Sequence, residues 1–303
     1  MNSHDIAKFL NLPVIGNNID INGVSDLSTV SSYKLKYVDK LFSGKLDTLN
    51  NNKNNLLIVS KKHSINLKVP HIVSKKPRLD FIKITNKYFP KNRVIKLEKT
   101  SVIGKNVKLG LGIYIGYNSV IGKNVTIGNN VTILNNVVIS DNVKIGSGSV
   151  IKSGSVVGEK GFAFERDETN TPLAATHYGS VVIGDSVEVG ACNTIACGTF
   201  NDTIIGDFVK TDDQVHIAHN AKIGSRTLIC ACAEISGSVR IGEGCWIGPN
   251  VSIIDGITIA DNAFIGIGSV VTSNIKPGTK IMGLESVSLK KLLCFKKKVS
   301  YGF

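Results

Sequence analysis

Ten consecutive residues, Thr211-Asp212-Asp213-Gln214-Val215-His216-Ile217-Ala218-His219-Asn220, set two of the chain's six histidines beside two carboxylates. An imidazole gains and loses a proton near neutral pH, so a histidine held in place here suits general acid–base work. The competing reading is a solvated surface histidine. Deciding between them requires the elements that carry these side chains, and Ile217, between the two histidines, identifies those elements.

Ile217 belongs to a column in which every sixth residue is aliphatic. The column runs unbroken through eleven positions from Leu97 to Val157, resumes at Ile183, Val189 and Ile195, slips by four residues, and continues through twelve positions from Ile205 to Val271 with only Thr211 departing from it. Many column residues precede Gly, as in Ile103-Gly104, Ile121-Gly122 and Ile145-Gly146, and the residue four later is small or β-branched (Val107, Ser119, Val125, Val131). No helix repeats every six residues and a lone strand repeats every two. A period of six is the signature of a parallel β-helix, whose short strands form stacked rungs. Three hexads close a triangular coil of eighteen residues, and these hexads make nearly nine coils. At about 4.8 Å per coil the prism is roughly 40 Å tall. Ile217 points inward, so His219 is expected near a corner, and Gly237, eighteen residues on, directly over it.

Composition narrows the function classes. The 36 Lys and Arg against 23 Asp and Glu give a formal charge of +13, which suits an anionic partner such as a nucleotide, coenzyme A or acyl carrier protein. No zinc-finger, helix-turn-helix or aromatic-interleaved basic motif accompanies that charge, so nucleic acid is not expected. No apolar run has the length of a signal peptide or a membrane span, and a cytoplasmic location is the default expectation. The six cysteines form no Cys-x-x-Cys pair. Cys245 falls at an inward corner position, and Cys192, Cys197, Cys230 and Cys232 read as reduced thiols within the repeats.

Residues 1–92 lack the hexads and read as a small α/β domain. Ser3 is a candidate cap for a short helix bearing Ile6, Phe9 and Leu10; strands are expected at Ile19–Val24, Tyr33–Val38 and Leu56–Val59. Pro77 starts a helix with Leu79, Phe81, Ile82 and Tyr88 toward the core, stopped by Pro90. The β-helix then spans 93–285, interrupted at 159–180 by Glu159-Lys160-Gly161-Phe162-Ala163-Phe164 and a polar loop with His177, which reads as a loop residue. So long an insertion must project from the prism, and long ordered loops are usually functional. A short tail, 286–303, carries Lys290, Lys291 and Lys296 to Lys298.

Val24-Ser25-Asp26-Leu27, the strand ending in Tyr37, Pro77-Arg78-Leu79-Asp80-Phe81 and above all Ile217-Ala218-His219-Asn220 resemble the UDP-3-O-acylglucosamine N-acyltransferases among the hexapeptide-repeat acyltransferases. The resemblance implies a left-handed parallel β-helix, a homotrimer, and acyl transfer from a thioester to the amine of a nucleotide-linked amino sugar, with no permanently held cofactor and no metal. It implies His219 as general base, Asp212 as the carboxylate orienting it, and a backbone N–H of Gly237 for the oxyanion; a packing glycine is the alternative for Gly237. It implies a base clamp at Tyr37 and Phe42, although the family's Asn position holds Lys40 and its second ring position Ser43, and plain core aromatics are the alternative. His216, where the family usually has Gln, and Asn220 are expected to contact substrate. So are Phe162 and Phe164, from a stretch similar to the family's Glu-Gly-Phe-Gly-Phe, on a loop reaching over a neighbouring subunit's cleft.

Two departures shape the expected substrate. The family's second histidine, thirty-seven residues after the first, corresponds here to Gly256, and its helical C-terminal extension is replaced by the basic tail from Ser286. Both point to a short acyl group from acyl-CoA and a dTDP- or UDP-linked amino-deoxy sugar for surface polysaccharide. The alternative is the lipid A reaction itself, with acyl carrier protein as donor and UDP-3-O-(3-hydroxyacyl)glucosamine as acceptor. Two other classes compete. One is a metal-dependent enzyme of the γ-carbonic anhydrase type, for which His216 and His219 supply two ligands and the coils no third; the other is a non-catalytic scaffold.

Overall fold

The computed structural model describes residues 1–38, 46–90 and 96–283, and the chain divides into two compact units, Met1–Asn92 and Arg93–Phe303.

The second unit is a left-handed parallel β-helix with three flat faces. The first face stacks nine strands and includes Val156–Lys160, Thr194–Cys197, His216–Ile217 and Glu234–Ile235. The second stacks eight, including Val181–Ile183, Thr203–Ile205 and Lys222–Ile223, and the third stacks ten, including Lys210–Thr211 and Leu228–Ile229. Rungs pair in parallel with the residue eighteen on, as Ile121 with Ile139 and Ile127 with Ile145. Two-residue strands survive because each is hydrogen-bonded from above and below, leaving no edge until the ends of the stack. The column residues are buried from Ile115 to Val271 and form one continuous core. At the bottom Leu97, Ile103 and Leu109 are exposed, having no coil beneath them.

The corners explain the polar half of each hexad. A residue with positive φ occurs once per hexad, at each corner, commonly Asn (Asn106, Asn118, Asn124, Asn130, Asn136, Asn142), the non-glycine residue that tolerates this region best. At some corners the backbone N–H just before it is capped by a side chain from the next coil, as Lys123 N–H by Asp141 Oδ1 (2.6 Å) and Glu243 N–H by Asp261 Oδ1 (2.8 Å). Cys245 is buried, and its thiol donates to the Ala260 carbonyl at 3.2 Å. Burial pushes the thiols of Cys197, Cys230 and Cys245 upward, away from the reactive thiolate.

The first unit is a five-stranded sheet in the order Val14–Ile15, His71–Val73, Leu56–Val59, Lys34–Tyr37, Gly23–Val24, parallel except for its first pair. Its first helix, Ser3–Leu10, is capped by Asn2 rather than Ser3: Asn2 and Asp5 form a reciprocal capping box, and Ser3 Oγ instead accepts from Ile19 N–H at 3.1 Å. The strand expected at Ile19–Val24 is confined to Gly23–Val24. Helix Pro77–Tyr88 starts where Pro77 requires; Ile84 is fully buried and Phe81 and Tyr88 pack on the same core, as expected, while Leu79 and Ile82 stand 41% and 42% exposed. The basic tail lies outside the described residues. No described helix is long and apolar enough to cross a membrane.

Adjacent residues of one rung should behave oppositely. Ile127 is 2% exposed in the column and its neighbour Thr126 faces outward. Ile127→Ala is expected to cost about 2–5 kcal/mol and Thr126→Ala no more than about 0.5 kcal/mol, measured as shifts in the denaturant midpoint.

Candidate functional site

Both breaks in the hexad period occur at one corner, between the first and second faces. Ile145 pairs with Ile183, thirty-eight residues on, so twenty extra residues leave the prism after Val156–Lys160 and return at Val181–Ile183. One coil above, Ile195 pairs with Ile217, twenty-two residues on, so four more leave between Thr194–Cys197 and Thr203–Ile205. His219 is the corner residue of the next coil, and Gly237 of the one after.

The four-residue slip builds a cradle for His219. Thr199 donates its backbone N–H (3.1 Å) and its hydroxyl (2.8 Å) to Asn220 Oδ1, while Asn220 Nδ2 donates to the Asn201 carbonyl (3.1 Å). A backbone N–H only donates, so that oxygen is an acceptor and the amide orientation is determined. His219 Nδ1 lies 3.0 Å from the same oxygen and must therefore carry the ring proton. Nε2 is left with a free lone pair, the state a base needs before it acts. Asn220 has φ 62°, and its own N–H donates to Thr203 Oγ1 at 2.9 Å.

Two glycines close on the ring. A Cβ on Gly237 would sit 2.7 Å from His219 Cε1 and 2.8 Å from Nε2; one on Gly161, in the inserted loop, would sit 3.0 Å from Cβ and 3.1 Å from Cδ2. Any side chain at either position would displace the imidazole. Gly237 occupies the corner position at which Lys123 and Glu243 have capped N–H groups, yet among the described residues no side chain accepts its N–H. His219 and Gly237 line a cleft of about 410 Å³ together with Phe162, His216, Glu234 and Asp255.

Other expected residues fall differently. Asp212 does not orient His219 within the chain. Seven residues span more than one face, so Asp212 lies at the preceding corner, exposed, with Oδ1 accepting from Asp213 N–H at 2.9 Å. Asn220, expected against substrate, holds the imidazole instead. His216 faces outward on the first face, Nδ1 2.6 Å from Thr194 Oγ1 and Nε2 3.9 Å from Glu234 Oε1. Phe162 and Phe164 pack at 4.9 Å, and Phe162 lines the cleft. The loop that carries them was expected over a neighbour, yet its base covers its own chain's His219. His177, read as a plain loop residue, approaches the His219 ring to 6.1 Å between centroids. Tyr37 packs on Phe81 at 4.9 Å in the core of the first unit, and Phe42 lies outside the described residues. Among the described residues no group of three His, Cys, Asp or Glu side chains is arranged to hold a metal ion. Gly161 belongs to the stretch quoted for Phe162 and Phe164 but was not singled out; Thr199 and His177 carry no motif of their own, and the broken period was the available signal for both.

The tautomer can be checked directly. The ¹⁵N shifts of the His219 ring should report a proton on Nδ1. Asn220→Gly, which keeps the positive φ accessible, should mix the tautomers, and Asp212→Asn should leave them unchanged. The opposite pattern would assign the orienting role to Asp212.

The bacterial transferase hexapeptide model (six repeats) matches residues 124–159, 202–237 and 238–273. The UDP-3-O-acylglucosamine N-acyltransferase of Bordetella pertussis is 42% identical over 131 residues, covering 42% of this chain and 36% of that protein. Its counterpart from Hahella chejuensis is 42% identical over 128 residues, with the same shares. The chain thus matches about a third of the length of these relatives. Among solved structures, the UDP-N-acetylglucosamine acyltransferase of Francisella novicida superposes with a TM-score of 0.57 at 26% identity, covering 62% of this chain and 67% of that one. Over its β-helix this chain carries the bacterial transferase hexapeptide repeat and resembles the UDP-3-O-acylglucosamine N-acyltransferases.

Proposed function

We propose that this chain is an N-acyltransferase that moves an acyl group from a thioester to the amine of a UDP-linked amino sugar. The observation that carries the reading is His219 with its proton fixed on Nδ1, its Nε2 lone pair free, and Gly237, too close to the ring for any side chain, stacked on it. The acceptor nitrogen attacks the thioester carbonyl and Nε2 takes the proton that the new C–N bond makes acidic. The developing oxyanion is held by Gly237 N–H, and collapse of the tetrahedral intermediate expels the thiolate, which recovers the proton from His219.

The names of the relatives favour UDP-3-O-acylglucosamine as acceptor over the short-chain reading expected from the sequence, and acyl carrier protein as donor goes with that reading. One observation keeps the short-chain reading, with acyl-CoA and a dTDP- or UDP-amino-deoxy sugar, as a second possibility: Gly256 stands in open space, with nothing within 4 Å of where its Cβ would be. Next to Asp255 of the cleft, Gly256 therefore offers no side chain at the position where the resemblance expects the second histidine. The first unit supports a nucleotide-binding role. A groove of about 930 Å³ at the carboxyl ends of Leu56–Val59 and His71–Val73 is ringed by Lys61, Lys62, Lys75, Lys76 and Lys83.

A homotrimer belongs to the same proposal. The first face shows valines outward at 102, 120, 138 and 156, and the third a ladder of Leu228, Trp246 and Phe264, the two rings stacked at 6.1 Å. The second face is basic, with Lys108, Lys144, Lys222 and Arg240. Apolar stretches on two adjacent faces beside a basic third suit a prism packed about a threefold axis.

His219→Ala should lower kcat by ~10²–10⁴ with an unchanged thermal midpoint. Purified protein offered hydroxyacyl carrier protein with UDP-3-O-acylglucosamine, or acetyl-CoA with a dTDP-amino sugar, should turn over the first pair; turnover of only the second selects the short-chain reading. Sedimentation should give three chains per particle, and an active monomer would refute the trimer.

A further inference from the structure

The inserted loop brings a second imidazole to the site. His177 Nδ1 lies 3.2 Å from the Ala175 carbonyl. A carbonyl only accepts, so Nδ1 carries the proton and Nε2 is left as an acceptor. Nε2 is closed off from solvent, and none of the described residues donates to it. One other buried side-chain polar atom among the described residues lacks a partner, Ser180 Oγ, three positions on in the same segment. A buried acceptor without a donor is costly, and Phe or Leu would fill the same space without the cost, so an orphan beside a candidate base asks for a functional partner.

The geometry names that partner. The His177 and His219 rings stand 6.1 Å apart and nearly perpendicular, at 80°, too far for one to donate to the other. Each presents Nε2 as a lone pair, by the same logic: a carbonyl or amide oxygen takes the Nδ1 proton. Two acceptors at one site match a donor with two hydrogens. We infer that His177 accepts one N–H of the attacking amine while His219 removes the other proton, making His177 a substrate-positioning residue that favours amine over hydroxyl acceptors. This rests on the acyltransferase reading above. A hydroxyl has one hydrogen and would leave His177 unsatisfied, whereas an amine satisfies both rings and has its lone pair aimed away from them, toward the thioester carbonyl. His177 does not line the cleft and its Nε2 is closed off from solvent, so the loop must shift as substrate enters to bring it to the amine; Phe162 is 86% exposed, and the hairpin Phe164–Arg166 with Pro172–Ala174 is exposed throughout.

Three proteins test this: wild type, His177→Phe, which keeps a ring and removes the acceptor, and His177→Gln, which restores one. With the amino sugar, His177→Phe should lose roughly 10–100-fold in kcat/KM, and His177→Gln should recover most of it. With the hydroxyl analogue of the same sugar, His177→Phe should equal wild type, so the amine-to-hydroxyl ratio collapses. Without substrate, the thermal midpoint of His177→Phe should equal or exceed that of wild type, because an unsatisfied acceptor has been removed. An unchanged ratio in His177→Phe, no rescue by Gln, or a lowered substrate-free midpoint would each overturn the inference, the last by showing that Nε2 has a partner in the assembled protein. Wild-type protein inactive toward every amine acceptor would instead overturn the acyltransferase reading on which this rests.

Discussion

Hydrogen bonding between coils governs this β-helix. A two-residue strand has no stability alone, so every rung must present its N–H and C=O groups in register with the rungs above and below, at the ~4.8 Å spacing of paired strands. That requirement enforces a vertical repeat: whatever occupies a corner in one coil lies under the equivalent residue of the next. It tolerates little extra chain within a face; among the described residues the one register shift there is the single added residue between Val157 and Lys160, at the end of its rung. Additional chain can leave only at a corner and must return in phase, as Ile183 does after twenty added residues and Ile205 after four.

The candidate site follows from that rule. The two excursions leave from the same corner in successive coils, so the space beneath His219 is filled by irregular chain rather than a third flat rung. The shorter one supplies Thr199 and Asn201, which orient the Asn220 amide, and that amide in turn orients the imidazole. The longer one supplies Gly161 against one part of the ring and His177 near it. From the coil above comes Gly237, whose missing side chain leaves room for the imidazole and whose N–H, unlike that of Glu243 at the next corner, has no side-chain cap among the described residues. A regular β-helix offers flat faces, and a proton-transfer site on it needs such a departure to hold a ring on more than one side.

A neutral amide beside the candidate base has a chemical consequence. A carboxylate at Nδ1 would stabilise the imidazolium strongly; Asn220 fixes the tautomer without adding a negative charge. Asp213, one of the two carboxylates in the ten-residue stretch, serves the fold, its Oδ1 accepting from Ala191 N–H at 2.7 Å in the same way that Asp141 and Asp261 cap their corners. Proximity in sequence to a histidine therefore says little about partnership in a coil, where each hexad turns the chain through a corner.

What the sequence alone determined is whatever the period carries. Column membership from Leu97 to Val271, the inward place of Cys245, the corner position of His219 and the stacking of Gly237 on it all follow from counting sixes and eighteens, because the repeat is set by backbone pairing and is indifferent to side chains. The bounds of Leu56–Val59 and the start of Pro77–Tyr88 were legible too, from a run of aliphatic residues and from the preference of proline for a first helical turn. The tertiary structure decided everything that depends on chain leaving the repeat. Asn220 rather than Asp212 meets Nδ1 because a four-residue excursion orients its amide, and no spacing rule encodes where an excursion folds. Gly161 and His177 reach the ring because the long loop returns across its own corner rather than projecting clear of it. Such contacts arise between segments with no common period, and they exist only once the coils have stacked.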